Sequence, residues 1–207
     1  MKKLSSLFAL VLLSITALVG CSDNPTPTEG KQFVRLPADL SNYGLAPVTE
    51  VFSLTCGHCR KMEAVIPELE NATNQSIGKV HVTFNETAHI AAMIYYSAEI
   101  QLNGTPDHTM MDDLFAAVQM GEGTSQAERK LAIDNAFESR GLVSPYDLDK
   151  EIQKTLFEAL ELAQEVSIKG QINSVPTFIV SGKYMILTQG HSDVDSIART
   201  INYLIEE

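Results

Sequence analysis

The sequence predicts an α/β fold whose core is split by an inserted helical domain. Three observations carry this. Between residues 46 and 85, a strand, a helix and a second strand follow one another as a βαβ unit. The stretch 87–165 is helical in pattern, long enough for several packed helices. Two more strands and a closing helix occupy 177–205.

The 207 residues are 44% hydrophobic and 20% charged. That balance suits one folded domain with its own core rather than a disordered chain. A formal net charge of −11 argues against a nucleic-acid partner, which would select a basic surface. Three cysteines are too few for a disulfide framework.

Residues 1–20 read as an address. Lys2 and Lys3 precede an uncharged, mostly apolar run at 4–20 that ends in small residues, the pattern of an export signal. The run is at the short limit for a membrane span and no basic flank follows it. Leu18-Val19-Gly20-Cys21 resembles a bacterial lipobox, which implies that Cys21 becomes the lipid-modified first residue of the mature chain. Ser22 after that cysteine is similar to outer-membrane sorting signals of enteric-type bacteria. The polar, proline-containing segment that follows, to residue 30, is expected to be a tether.

The next element, 46–54, is rich in Val and Phe and bounded by Pro47, as a buried strand is. It leads into Cys56-Gly57-His58-Cys59. This spacing admits half a zinc site or a reactive dithiol. The close second Cys/His pair that a structural zinc site uses is lacking, although ligands could be assembled in space. A purely structural disulfide here would close so short a loop that it would contribute little entropy. Downstream, Met62, Val65, Ile66 and Leu69 fall on one helical face. Cys56 is thus expected at a helix N-terminus, where free amides and the macrodipole favour a thiolate and lower its pKa below ~8.5. Cys59, one turn in, is expected to be shielded and to act as the resolving thiol. His58, between the sulfurs, can donate a hydrogen bond or present positive charge to the thiolate. Strand alternation places Glu50 with Val48, Phe52 and Leu54 on one side. A carboxylate there should be buried beneath the cysteines, with a raised pKa, and should exchange a proton with Cys59.

The second strand is expected at 79–85, and an apolar helix at 87–101. Another helix follows Pro106 and ends at Gly121. Ser125 and Glu128 form a capping box for a helix ending at Gly141. Ser144-Pro145 is expected to start the next, with Leu148, Ile152, Leu156, Ala159 and Ala163 on one stripe. Strands at 177–180 and 183–187 join through a tight turn at Ser181-Gly182. Val194, Ile197, Ile201, Leu204 and Ile205 mark the closing helix. Met110 and Met111 read as core filler, and the scattered acids as solvated faces.

Together these features resemble the thioredoxin superfamily, and within it the DsbA-like periplasmic thiol oxidases. The resemblance rests on residues 29–33 as the opening of the first strand and on Glu50 six positions before Cys56. It rests further on Lys79 in the following strand, on 170–178 as a cis-proline loop, and on Gly182-Lys183-Tyr184 in the hairpin. It implies a thioredoxin-like fold interrupted by an inserted helical domain. It also implies that Lys79 pairs with the buried Glu50, and that Val175 and Pro176 face the dithiol and dock an extended substrate backbone. The best-known members of that family carry Pro-His between the cysteines. Gly57-His58 instead resembles protein disulfide isomerases, and implies a weaker oxidant.

The organisation expected is a lipoprotein signal at 1–20, lipidated Cys21 and tether to 30, core at 31–86, helical insertion at 87–165 and core at 166–207. The activity expected is thiol:disulfide oxidoreduction facing the periplasm of a Gram-negative bacterium. The protein would be lipid-anchored to the outer or inner membrane and would introduce disulfides into reduced or unfolded exported proteins. Cys56 forms the mixed disulfide and Cys59 resolves it; His58 tunes Cys56, and Glu50 with Lys79 moves the proton. Apart from the redox-active Cys56–Cys59 disulfide, no metal or organic cofactor is expected. The resemblance implies recycling by a quinone-coupled, DsbB-like membrane oxidase. The rivals are a reductase or isomerase on the same fold, and a non-catalytic binding lipoprotein or metal chaperone.

Overall fold

In the computed structural model, residues 26–207 are described. The signal at 1–20, Cys21 and the start of the tether lie outside them. The elements are β1 (Phe33–Arg35), β2 (Val48–Phe52), α1 (Gly57–Glu63), α2 (Ile66–Thr73), β3 (Ile77–His81), α3 (Glu86–Leu102), α4 (His108–Val118), α5 (Gln126–Glu138), α6 (Lys150–Lys169), β4 (Thr177–Val180), β5 (Tyr184–Ile186) and α7 (Val194–Ile205). The five strands form one mixed sheet in the order β1-β5-β4-β2-β3. β2 runs parallel to β3 and antiparallel to β4.

The sheet has a core on each face. α2 packs against α7 on one side, over Val48, Phe178, Val180 and Ile186 of the sheet, with Ile201 of α7 in the same core. On the other side α3 packs against α6 and α4 against α5, over Val51, Phe52, Val80 and Ile179. Because both faces are covered, all five residues of β2 are buried. Alternation therefore does not separate an inner from an outer set of β2 side chains, and Glu50 is enclosed with the rest. At the centre Phe52 meets His81, Tyr95 and Phe115 edge-on, with ring centroids 4.9, 5.0 and 6.1 Å away.

Most expected elements are present, with boundaries moved for identifiable reasons. The single helix expected after the dithiol is two. Pro67 has no N–H to give and its ring conflicts with the carbonyl four residues back, so α1 stops at Glu63 and α2 starts afresh. The second strand begins and ends earlier than expected, at Ile77 and His81, because its register against Val48–Phe52 sets its length. Asn85, placed at the end of that strand, instead caps α3 by accepting from the Ala88 N–H. α6 does not start at Ser144-Pro145. Ser144 makes a turn there, accepting the Tyr146 N–H and donating to Asp134. Asp149 supplies the cap instead, accepting from both Glu151 and Ile152, and α6 then runs to Lys169. The Ser125–Glu128 capping box is formed as expected. Ser181 and Gly182 both have positive φ, 52° and 67°, as a two-residue hairpin turn requires. Met110 and Met111 are core residues.

Candidate active site

The site forms where β2 ends and α1 begins. Three side chains from elsewhere hold the connecting loop. His81 at the end of β3 accepts the Leu54 N–H at Nε2 (2.8 Å) and bonds the Val82 carbonyl through Nδ1 (2.8 Å). That pairing places the ring proton on Nδ1. Burial lowers the His81 pKa to about 4, so the ring stays neutral and works as a fixed brace. Gln119, at the end of α4, donates to the carbonyls of Leu54 (2.7 Å) and Cys56 (3.1 Å). Ser53 accepts the Thr55 N–H through its hydroxyl and the Cys56 N–H through its carbonyl.

The loop delivers Cys56 to the N-cap of α1, with its sulfur accepting the Cys59 N–H at 3.1 Å. An orphan amide of the helix start is thus satisfied by sulfur. Cys56 is half-buried and Cys59 is fully enclosed. Burial, followed by the hydrogen bond with Cys56, pushes the Cys59 pKa far above the ordinary thiol range, so Cys59 is a protonated thiol. Across the dithiol lies Val175-Pro176, whose peptide bond is cis. The Cys56 sulfur donates to the Val175 carbonyl at 3.6 Å. His58 is exposed and shares with Lys61, Met62, Val65, Val175 and Pro176 a groove of about 540 Å³. Its lining combines apolar Met62, Val65, Val175 and Pro176 with basic Lys61.

Beneath the dithiol is a buried charge cluster. Glu50 and Lys79 are direct partners in the β2–β3 register. Lys79 Nζ donates to Glu50 Oε2 at 2.5 Å and to Glu63 Oε2 at 2.8 Å. All three side chains are buried. Burial raises the Glu50 pKa, against the opposing pull of Lys79. Burial pulls Lys79 down, but the charges of Glu50 and Glu63 more than offset this and hold it above the usual lysine range. Two carboxylates sharing one ammonium leave one of them undercompensated. Glu50 carries that deficit, because Glu63 also bonds His108 at 2.8 Å. The charge on Glu50 is felt at Cys59 and adds to its raised pKa. Among the described residues, Glu50 Oε1 is the one buried side-chain polar atom without a hydrogen-bond partner.

The structure thus brings Cys56, Cys59, Val175 and Pro176 together at one surface, with His58 on the groove beside them and Glu50 and Lys79 paired below. Cys21 lies outside the described residues. Sequence reasoning missed Glu63, His81, His108 and Gln119. Glu63 lies four residues beyond Cys59, one turn along the helix, and that spacing was the available signal. Nothing local in the sequence marks the other three.

The comparisons agree with this geometry. A thioredoxin family model matches residues 45–202. The chain is 27% identical over 194 residues to the thiol:disulfide interchange protein DsbA of Salmonella typhimurium, covering 87% of this chain and 89% of that one. It is 22% identical over 213 residues to the DsbA of Pseudomonas aeruginosa, covering 98% and 96%. The crystal structure of the disulfide oxidoreductase DsbA from Proteus mirabilis superposes with a TM-score of 0.66 at 21% identity, covering 87% of this chain and 98% of that one. The chain belongs to the thioredoxin family. Within that family it is a DsbA-like thiol:disulfide oxidoreductase, with the fold's core interrupted by the helical region α3–α6.

The raised pKa of Glu50 makes a prediction with a definite sign. A carboxyl with a raised folded pKa contributes stability below its unfolded value of ~4.3 and loses it as pH rises through the folded value. Glu50→Gln cannot ionise. The stability difference, variant minus wild type, should therefore move in favour of the variant between pH 4 and 8. The change should be about 1.4 kcal/mol for each pH unit separating the unfolded and folded pKa values. Urea titrations across that range measure it, and a pH-independent difference would show that folding does not raise the Glu50 pKa.

Proposed function

We propose that the protein is an oxidant, lipid-anchored at Cys21 and facing the periplasm, that introduces disulfides into exported proteins. The observation that carries the reading is the asymmetry of the dithiol: Cys56 is reachable and receives an amide hydrogen bond on its sulfur, while Cys59 is enclosed and protonated. A client thiolate attacks Cys56 Sγ of the disulfide form, so the client–Cys56 bond forms and the Cys56–Cys59 bond breaks. Cys59 leaves as a thiolate and takes up a proton from the Glu50 carboxyl. A second client thiolate then attacks the client sulfur, the client disulfide closes, and Cys56 leaves as a thiolate at the helix start. Two electrons have passed from client to enzyme.

The client backbone lies along the Val175 edge, and the apolar groove accepts its side chains without demanding a sequence. His58 at the groove supplies positive charge or a hydrogen bond to the departing Cys56 sulfur. A quinone-coupled membrane oxidase of the DsbB type returns the dithiol to the disulfide. Gly57-His58 between the cysteines supports a milder potential than the strongest oxidants of this kind have. A glutathione redox titration separates the oxidant from the reductase or isomerase rival by its potential. A binding lipoprotein or metal chaperone would not cycle at all.

Cys56→Ser should abolish oxidation of a reduced client, whereas Cys59→Ala, incubated reduced with a client that carries a disulfide, should accumulate mixed disulfides visible on non-reducing gels. Alkylation of the reduced protein at neutral pH should label Cys56 first, and faster labelling of Cys59 would reverse the assigned roles. In cells of a Gram-negative host, labelled palmitate should enter the wild type and not Cys21→Ala. A mature wild-type N-terminus that is free and unacylated would remove the anchor from the account.

A further inference from the structure

A polar route leads from the buried cluster to water. His108 opens α4, with its side chain 46% exposed. Its Nδ1 lies 2.8 Å from Glu63 Oε1, and its Nε2 lies 3.8 Å from Glu70 Oε2 at the surface. Glu63 reaches Lys79 through its other oxygen, and Lys79 reaches Glu50. A cleft of about 370 Å³, lined by His108, Asp107, Glu70, Gly78 and Lys79 among others, lies along the same route. The charged groups around His108 are Glu63 of α1, Glu70 of α2, Lys79 of β3, and Asp107 and Asp112 flanking it on α4. Asp107 is already engaged as the α4 cap.

We propose that His108 is the proton port of the site, a positioning residue that acts through Glu63 and Lys79 to load and unload Glu50. The inference rests on the oxidoreductase reading above and deepens it. When Cys59 leaves as a thiolate, it takes the Glu50 proton. Glu50 is refilled from the Lys79 ammonium as Lys79 takes up, through the Glu63 carboxylate, the Nδ1–H proton of His108, whose Nε2 takes a proton from solvent. The net result is one solvent proton moved to Cys59. On reoxidation Cys59 gives its proton back to Glu50, and the hops reverse. Glu63 returns a proton to Nδ1 and the Nε2–H leaves to water. The imidazole is thereby restored to its starting tautomer in each cycle. Each hop follows a hydrogen bond already formed, apart from the Cys59–Glu50 step and the exit to water.

The test is the single-turnover reduction of the full-length oxidised protein by a reduced dithiol peptide. His108→Gln keeps an amide donor for Glu63 but cannot carry a proton, and His108→Ala leaves room for free imidazole. Both should slow the reaction on the order of tenfold, less than the loss of a group that itself exchanges a proton with the reacting atom. Added imidazole should restore His108→Ala and leave the wild type unchanged. Variants that react at the wild-type rate overturn the port. Variants that are slow but deaf to imidazole also overturn it, since His108 would then be a packing residue. A wild type inert toward the peptide would instead overturn the oxidoreductase reading on which the port depends.

Discussion

The site is organised around one buried lysine shared by two carboxylates. Lys79 stands opposite Glu50 in the parallel register and also holds Glu63 from α1, so a single ammonium ties β2, β3 and the dithiol helix together. Buried ion pairs are costly to desolvate and are seldom the most stable choice for a core. This one is unequal, with two acids to one base, and the inequality has a chemical consequence. One carboxyl must hold a proton more readily than an ordinary glutamate does, and it lies within electrostatic reach of the thiol that must gain and lose one. Stability is sacrificed at this point and recovered in the aromatic cluster around Phe52 and in the two covered faces of the sheet.

The helical region takes part in the chemistry by holding the loop. Gln119 at the end of α4 pins the carbonyls of Leu54 and Cys56, and His81 pins the Leu54 amide from the sheet side. With both attached, the loop has few ways to move, and the Cys56 sulfur is presented to the Val175 carbonyl in a fixed position. A histidine serves as this brace only while neutral, and burial keeps it so well below neutral pH. The start of α4 meets the charge cluster through His108, while its end holds the loop. One helix of the inserted region thus touches both halves of the site.

What was legible in the sequence follows from range. The dithiol, the helix after it and Glu50 on the preceding strand are local, and their spacing alone implied their relation. Lys79, Val175 and Pro176 became legible only through resemblance, because their proximity to the dithiol depends on which strands are neighbours. His108 and Gln119 depend on how a separate helical layer docks, and no periodicity encodes that. His81 looked like an unremarkable strand residue, and its role appears only once its two ring nitrogens are seen between Leu54 and Val82. The misplaced start of α6 has a different origin. Ser144-Pro145 and Asp149 both carry start signals, and the carboxylate that satisfies two amides won over the hydroxyl already bonded to Asp134.

The central claim is that the fold favours the reduced dithiol: an amide-bonded sulfur at the helix start and a protonated, enclosed partner above a proton-holding carboxyl. Against it stands only the small entropy benefit of closing so short a disulfide loop. Urea unfolding of the oxidised and reduced forms at pH 7 tests this directly. The account predicts the higher midpoint for the reduced form at equal slope. A higher midpoint for the oxidised form would contradict it and would make the protein a reductase.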